Sequence, residues 1–192
     1  LLCAARGCEL RHLSITSEGE LDLGELERTL DGSVRLVALA HLSNVLGTVA
    51  PIRRICEAAH AVGARVLVDG AQAVAHLSPA ELDVTSLGCD FYVFSGHKLF
   101  APPGTGVLWA RRELLESMPP WQAGGEMIVS VERARATFRP PPERFEAGTP
   151  NIWGVIGLGA ALSHLATIPH ATRAAHEAAV HRALLDGLRQ VP

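Results

Sequence analysis

Residues 65–69 read Arg-Val-Leu-Val-Asp, and this short stretch is the clearest indication of the fold. Its apolar residues are consecutive, and the run ends on an acid. A strand that helices cover on both faces of a parallel sheet has this near-continuous apolar character, whereas a half-exposed strand alternates apolar and polar residues. Residues 65–69 are therefore predicted to form a buried strand.

On either side of this run, similar apolar runs alternate with segments whose apolar residues have helical spacing. Upstream, Pro51 can open a helix because the first helical position does not need an N–H, and Gly63 can cap the end of that helix. Strands alternating with helices are typical of an α/β fold with a mainly parallel sheet flanked by helices. The predicted strands are 8–15, 34–41, 65–69, 90–95 and 105–110, and the predicted helices are 21–30, 51–62, one that begins at Arg111, 153–165 and 171–188.

The composition limits the class of protein. The 192 residues are 48% hydrophobic and 19% charged, which supports a buried core and excludes an intrinsically disordered chain. Lys and Arg number 17 against 20 Asp and Glu, so the basic footprint of a nucleic-acid-binding protein is missing. No apolar run reaches the roughly 18 residues of a membrane span. We expect a soluble, cytoplasmic protein with neither a nucleic acid nor a membrane as its partner.

Cysteine and histidine spacing gives no indication of a metal site. The four cysteines include no C-x-x-C pair, and the nine histidines include no H-E-x-x-H motif. Reduced thiols in a cytosolic protein are the usual state for a chain of this size. We therefore expect no bound metal. The cysteines are Cys3, Cys8, Cys56 and Cys89.

The ends of the chain and its proline-rich segment suggest how it is organised. The chain begins with Leu1, its only methionines are Met118 and Met127, and it ends at Pro192 directly after a predicted helix. An excised piece of a longer protein accounts for these features. Residues 119–150 are rich in proline and read as an extended excursion. The expected divisions are an α/β core over 1–118, an extended segment over 119–152 and helices over 153–192 that lead towards a further domain.

Polar and ionisable residues follow three of the predicted strands. In parallel sheets, ligands bind in the crevice beyond the carboxyl ends of the strands, so these residues mark the place to look for a site. Strand ends are also polar for ordinary structural reasons, but three such ends together are harder to attribute to that alone. The three stretches are His41-Leu42-Ser43-Asn44, Asp69-Gly70-Ala71-Gln72 and Ser95-Gly96-His97-Lys98.

The chemistry of this set suits one cofactor. Lys98 follows an apolar strand through a short turn, so its side chain is expected to start near the domain interior. Loss of hydration there favours the neutral, nucleophilic amine used in Schiff-base chemistry. Asp69 can hold a heteroaromatic nitrogen in its protonated form. Pyridoxal 5'-phosphate uses both groups. Asn44 and Gln72 could donate to its phenolate oxygen, and Ser95 with His97 could meet its phosphate. A structural Lys–Asp ion pair remains the alternative at this point.

Four collinear motifs resemble the class V aminotransferase family, in the order and spacing of its cysteine desulfurase and selenocysteine lyase branch. The resemblance covers nearly the whole chain, and motifs of this length are highly specific. It implies the central part of the large domain of a fold-type I pyridoxal phosphate enzyme. The motifs are His41-x-Ser43-Asn44-x-x-Gly47-Thr48, Val68-Asp69-Gly70-Ala71-Gln72-Ala73, Ser95-Gly96-His97-Lys98 and Arg144-Phe145-Glu146-Ala147-Gly148-Thr149-Pro150-Asn151.

The resemblance implies a role for each matched residue. Lys98 would form the covalent link to the cofactor and Asp69 would pair with the pyridine nitrogen, which makes these two the catalytic residues. The remaining cofactor-binding residues would be Asn44, Gln72, Ser95, His97 and Thr149. The threonine that Thr149 matches reaches the phosphate of the other subunit's cofactor. This implies a homodimer in which residues 119–152 form the active-site and dimer segment.

The resemblance also implies a substrate and a partner. The reaction would remove sulfur or selenium from L-cysteine or L-selenocysteine and leave L-alanine, with a sulfur-acceptor protein and iron–sulfur cluster assembly as the expected context. The family's phosphate loop and ring-stacking histidine would precede Leu1. Its sulfur-accepting cysteine and carboxylate-binding arginine would follow Pro192. We therefore assign no catalytic cysteine here and expect residues 1–192 alone to be inactive and to associate.

Two other functions remain open. A transaminase, an epimerase or a kynureninase-like lyase would use the same cofactor-binding residues, and a cysteine in an active-site loop beyond this chain would favour the desulfurase. A truncated chain without catalytic activity, which binds pyridoxal phosphate weakly or serves as an interaction module, would lack an absorbance band that depends on Lys98.

Overall fold

The structure is a computed structural model that describes residues 2–191. Its centre is a four-stranded sheet in the order β1-β2-β3-β4. The first three strands are parallel and the fourth is antiparallel to the third. This confirms the predicted α/β fold with a mainly parallel sheet. The strands are β1 (Leu36–Ala40), β2 (Arg65–Asp69), β3 (Phe91–Ser95) and β4 (Gly106–Ala110).

Helices connect the strands and flank the sheet. The third helix begins directly after Pro51, as predicted, and Gly63 follows it with φ 82°, the left-handed conformation in which glycine is favoured at a helix end. The helices are α1 (Leu2–Arg6), α2 (Leu23–Thr29), α3 (Ile52–Ala61), α4 (Ala73–His76), α5 (Val84–Leu87), α6 (Arg112–Ser117), α7 (Ile152–Ala166) and α8 (His170–Leu188). Sequence patterning missed three short helices, α1 with five residues and α4 and α5 with four each.

The main core lies between α3 and the sheet. Helix α3 buries Ile52, Ile55, Cys56 and Ala59, whose spacing places them on one face of a helix. This face packs against the alternate β2 residues Val66 and Val68, which are fully buried. Strand β2 occupies the interior of the sheet because strands pair with it on both sides.

One strand prediction is wrong in part, and another is wrong. The predicted 34–41 strand was expected to be covered on both faces, but Leu36 in β1 is 51% exposed, since nothing in residues 2–191 covers that face. The predicted strand at 8–15 is absent. Only Ile15 forms a single bridge, to Leu21, and most residues before it are exposed.

The proline-rich segment contains a hairpin that the sequence did not indicate. Strands β5 (Ile128–Val131) and β6 (Ala136–Phe138) pair antiparallel across a short turn. The hairpin is largely exposed, and the fully buried Met127, just before β5, anchors it to the rest of the chain. The Arg139 amide donates to the Met127 carbonyl, which closes the open end of the hairpin.

The last two helices are held differently. Leu158 of α7 packs with Leu99 and Ala101, which follow β3. Helix α8 is exposed along most of its length and is joined to α4 by the Arg173 guanidinium, which donates to the Ala75 carbonyl. Within residues 2–191, no single helix is long and apolar enough to cross a membrane. Only α7 and α8 taken together, with an 87° bend between them, meet a length and composition test for a broken span.

A buried carboxylate stabilises the end of the sheet opposite the candidate site. Asp90 is fully buried just before β3 and accepts hydrogen bonds from His60 Nε2 (2.7 Å) and from the Val66 amide (2.8 Å), while Arg65 lies 3.3 Å away. Burial raises the pKa of the Asp90 carboxyl, but these hydrogen bonds outweigh burial and hold the pKa below its ordinary value. The ionised form therefore stabilises the fold.

Asp90→Asn is expected to lower the free energy of unfolding at neutral pH by about 2–4 kcal/mol, because the partners lose a buried negative charge. A lowered folded-state pKa contributes stability above the unfolded pKa, near pH 4, and this contribution disappears as the pH falls through the folded-state value. Urea unfolding of both proteins at neutral pH and in acid tests this. A difference that stays constant into acid would show that the Asp90 charge is not what stabilises the fold.

Candidate functional site

The carboxyl ends of the three parallel strands meet at one edge of the sheet. Ala40 of β1, Asp69 of β2 and Val93 of β3 lie side by side in register. The His41 amide donates to the Asp69 carbonyl (2.8 Å), and the Gly70 amide donates to the Val93 carbonyl (2.8 Å). The polar stretches that follow the strands therefore start from the same edge, as the sequence predicted.

Asp69 is the last residue of β2 and is exposed. Its Oδ1 accepts a hydrogen bond from the Ala71 amide (2.9 Å), which ties the carboxylate to the turn after the strand. Within residues 2–191 its other oxygen has no hydrogen-bond donor. The carboxylate is thus held from one side and can still accept a bond from a ligand.

Lys98 lies in the 3₁₀ turn Gly96–Leu99 that follows β3 directly. Leu99 is 5% exposed and packs with Leu158 of α7, so the turn is anchored one residue after the lysine. Lys98 itself is half-buried, less than the sequence suggested, because its side of the sheet edge is open in the described chain. Its amine has no hydrogen-bond partner among residues 2–191.

Asn44 and Gln72 line the same cavity, whose volume is about 500 Å³. Asn44 lies in the loop after β1, which closes on itself through a bond from the Ser43 amide to the Thr48 carbonyl. Gln72 precedes α4. The opposite wall of the cavity is the α8 face that carries Glu177 and His181. The structure brings together the two amides that the sequence assigned to one role.

The three remaining predicted residues are less closely gathered. Ser95 ends β3 and is half-buried, whereas His97 is exposed in the Lys98 turn. Thr149 is exposed in the turn before α7. In the part of the chain that the structure describes, none of these three side chains makes a hydrogen bond, and nothing joins Thr149 to the residues at the sheet edge.

Sequence patterning missed a buried polar pair beneath this edge. His41 and Tyr92 are each 3% exposed, and His41 Nδ1 lies 3.0 Å from the Tyr92 hydroxyl. Burial lowers the pKa of His41 and raises that of Tyr92, so both are neutral near neutral pH. The two residues lie 51 positions apart, and only the polar character of His41 at a strand end could have drawn attention to it.

The buried cysteines are unsuited to nucleophilic chemistry. Burial raises the pKa of Cys56 to about 12 and that of Cys89 to about 11, which keeps both as thiols rather than reactive thiolates. Cys8 is exposed and Cys3 half-buried, both far along the chain from the sheet edge. Among residues 2–191 no group of three His, Cys, Asp or Glu side chains could hold a metal ion.

The chain is similar to proteins described as cysteine desulfurases. It is 51% identical over 193 residues to one from Dickeya dadantii (strain 3937) and 47% identical over 193 residues to one from Enterobacter sp. (strain 638), covering 100% of this chain and 46% and 47% of those proteins. The chain thus spans about half the length of the curated relatives it matches.

The solved structures to which the chain is similar are also those of cysteine desulfurases. The cysteine desulfurase CsdA from Escherichia coli matches with a TM-score of 0.94 at 37% identity, over 100% of this chain and 47% of that one. The apo cysteine desulfurase from Thermococcus onnurineus NA1 matches with a TM-score of 0.86 at 36% identity, over 98% and 47%. The model of the family described as aminotransferase class V matches residues 1–192. With its fold, its sequence and its strand-end motifs in agreement, the chain belongs to the class V aminotransferase family.

Proposed function

We propose that the protein carrying this chain is a pyridoxal phosphate-dependent cysteine desulfurase or selenocysteine lyase. It would release sulfur or selenium from L-cysteine or L-selenocysteine and leave L-alanine. The observation that carries the proposal is the position of Asp69 at the end of β2 and of Lys98 just after the neighbouring β3, at one sheet edge. The chain is also about half identical to proteins named cysteine desulfurases.

The residues at the sheet edge fit the cofactor. When bound, pyridoxal phosphate supplies an aldehyde that reacts with amines and a ring that withdraws electrons. Lys98 offers an amine to which no group within residues 2–191 is hydrogen-bonded, and Asp69 offers a carboxylate oxygen for the ring nitrogen. The Asn44 and Gln72 amides, which share one cavity, would bind the phenolic oxygen. Ser95 and His97 would bind the phosphate through hydroxyl and imidazole N–H groups.

Lys98 and Asp69 would divide the chemistry between them. Lys98 would hold the aldehyde at rest and, once the substrate amine has displaced it, take the proton from the substrate α-carbon. Asp69 would keep the ring nitrogen protonated, and the positive charge there favours loss of the α-proton. Tying Asp69 Oδ1 to the Ala71 amide keeps the carboxylate in one orientation for this purpose.

The sulfur would be transferred to a residue other than those described above. Cys56 and Cys89 are buried thiols with raised pKa values, so neither is available to take sulfur from the substrate. A cysteine beyond the matched half of the protein, and a sulfur-acceptor protein after it, are the proposed route. The substrate carboxylate would likewise be bound by an arginine outside this chain.

We also propose a homodimer. Thr149, which has no hydrogen-bond partner among residues 2–191, would reach the phosphate of the cofactor held by the second subunit. The start of α7, just after Thr149, exposes a cluster of large apolar side chains, which is unusual for a monomeric surface and suits an interface. The exposed fractions are 52% for Ile152, 83% for Trp153, 56% for Val155 and 60% for Ile156.

The direct test supplies the full-length protein that contains this chain with pyridoxal phosphate, L-cysteine and excess dithiothreitol, the thiol that donates the two electrons needed to release the transferred sulfur as sulfide. We expect equal amounts of alanine and sulfide, and a dimer by sedimentation. Residues 1–192 alone should form neither product and should associate. 3-Mercaptopyruvate, the 2-oxo acid that transamination of L-cysteine yields, or racemised cysteine in place of alanine and sulfide would contradict the proposal in favour of a transaminase or an epimerase. The ratio of rates with L-selenocysteine and L-cysteine gives the preferred element.

A further inference from the structure

The His41–Tyr92 pair flanks the end of β2 from both neighbouring strands. His41 follows β1, and Tyr92 is the second residue of β3, opposite Val68 in register. Their rings meet edge to face, with centroids 6.0 Å apart and an interplanar angle of 87°. Neither residue belongs to the set that would bind the cofactor. A buried polar pair of this kind requires a reason, because an apolar pair would cost less to bury.

The pair contacts the turn that carries Asp69. The His41 amide donates to the Asp69 carbonyl. On the other side, a Cβ added to Gly70 would lie only 2.1–2.4 Å from three atoms of the Tyr92 side chain, among them its hydroxyl oxygen. The tyrosine therefore lies directly against the Gly70 backbone, and only glycine leaves room for it.

The hydrogen bond fixes where the Tyr92 hydroxyl points. Both groups are neutral, so one of them donates: with the His41 proton on Nε2, the Tyr92 hydroxyl donates to His41 Nδ1, 3.0 Å away. The hydroxyl is then not available to donate to the nearby Asp69 carboxylate. Burial is the main cause of the raised pKa of Tyr92, followed by the charges of Cys89 and Asp69. Asp69 Oδ1 is bound by the Ala71 amide, and the second oxygen is left for a ligand.

We propose that His41 and Tyr92 are positioning residues: their buried hydrogen bond holds the Asp69–Gly70 turn so that one carboxylate oxygen faces the cofactor site. This rests on the proposed function, in which that oxygen meets the ring nitrogen of pyridoxal phosphate. The pair acts only through the orientation of Asp69 and touches neither the cofactor nor the substrate.

The first test needs no cofactor. Tyr92→Phe keeps the ring against Gly70 and removes only the hydroxyl. In the cofactor-free full-length protein we expect hydrogen exchange of the Ala71 amide, which Asp69 Oδ1 accepts, to become about tenfold faster, while the Val68 amide changes little. His41→Leu should act alike, and His41→Asn, whose amide can still reach the hydroxyl, should stay close to wild type.

The second test is a double-mutant cycle on the affinity for pyridoxal phosphate, followed by its visible absorbance. Tyr92→Phe should weaken binding about fivefold in the wild-type background but less than twofold with Asp69→Ala, because no carboxylate is then left to position. Ile55→Val, a fully buried substitution on α3 away from the turn, is the matched control for loss of stability. It should alter neither the Ala71 exchange nor the affinity.

Equal Ala71 exchange in wild type and Tyr92→Phe would overturn the positioning role, as would the same fivefold loss in both backgrounds. If the wild-type protein binds no pyridoxal phosphate, the proposed function fails, and the exchange measurement still decides whether His41 and Tyr92 hold the Asp69 turn.

Discussion

Lys98→Ala is expected to reduce the rate of desulfuration about 10³-fold or more while leaving the fold intact, because the amine is both the attachment point of the cofactor and the base for the α-proton. The fold should survive, since the Lys98 amine makes no hydrogen bond within residues 2–191 and the turn is anchored by the buried Leu99. Assays of alanine and sulfide, with circular dichroism of both proteins, give the two readouts.

The composition of the chain makes this test unusually specific. Lys98 is the only lysine among the 192 residues, beside 16 arginines. Borohydride reduction of the protein with pyridoxal phosphate should therefore label a single peptide within this chain, and the visible band should disappear. In Lys98→Ala that label should be absent. The control Lys98→Ala/Arg112→Lys returns one amine to a helix position that is 75% exposed and should restore neither label nor activity. A variant that keeps a tenth of the wild-type rate would remove Lys98 from the chemistry.

The two ends of β3 serve different purposes. Asp90, just before the strand, is a buried carboxylate held by His60 and Arg65, and its effect is on stability. Ser95, at the other end, leads directly into the turn of Lys98. At the first end, protein groups can occupy the hydrogen-bonding positions of the Asp90 carboxylate, because no ligand competes for it. At the second end, the side chains of Ser95, His97 and Lys98 make no hydrogen bond within residues 2–191, and a ligand site requires such unpartnered polar groups.

Local pattern was enough to predict the sheet and its polar edge. Strand β2 has the predicted bounds, and β3 differs by one residue, because a short apolar run closed by a polar turn allows few other structures. Once the strands are predicted, the residues at their carboxyl ends are known as well. Since parallel strands bring their carboxyl ends to one edge, Asn44, Asp69, Gln72 and Lys98 could be assigned to one region before any contact was known.

Contacts between distant residues could not be predicted in this way. His41 and Tyr92 meet only because β1 and β3 flank β2, and Asp90 finds His60 across 30 residues. The β5–β6 hairpin lacks a strong alternation of apolar residues and depends on the buried Met127 beside it. The 8–15 stretch has an apolar pattern, but a strand needs a partner, and residues 2–191 provide one only for Ile15.

Asp69→Asn is expected to bind pyridoxal phosphate and yet to turn over about 10²-fold or more slowly, because a neutral amide does not favour a protonated ring nitrogen and the ring then withdraws fewer electrons from the substrate. Asparagine isolates the charge, since its side-chain oxygen can still accept the Ala71 amide bond that shapes the turn. The measurement is kcat at saturating pyridoxal phosphate, beside the cofactor affinity. Asp69→Glu, which keeps the charge on a longer stem, is the control and should retain more activity than Asp69→Asn. Normal turnover in Asp69→Asn would make Asp69 a structural acid that closes β2, and the protonation of the ring would then have to come from another group.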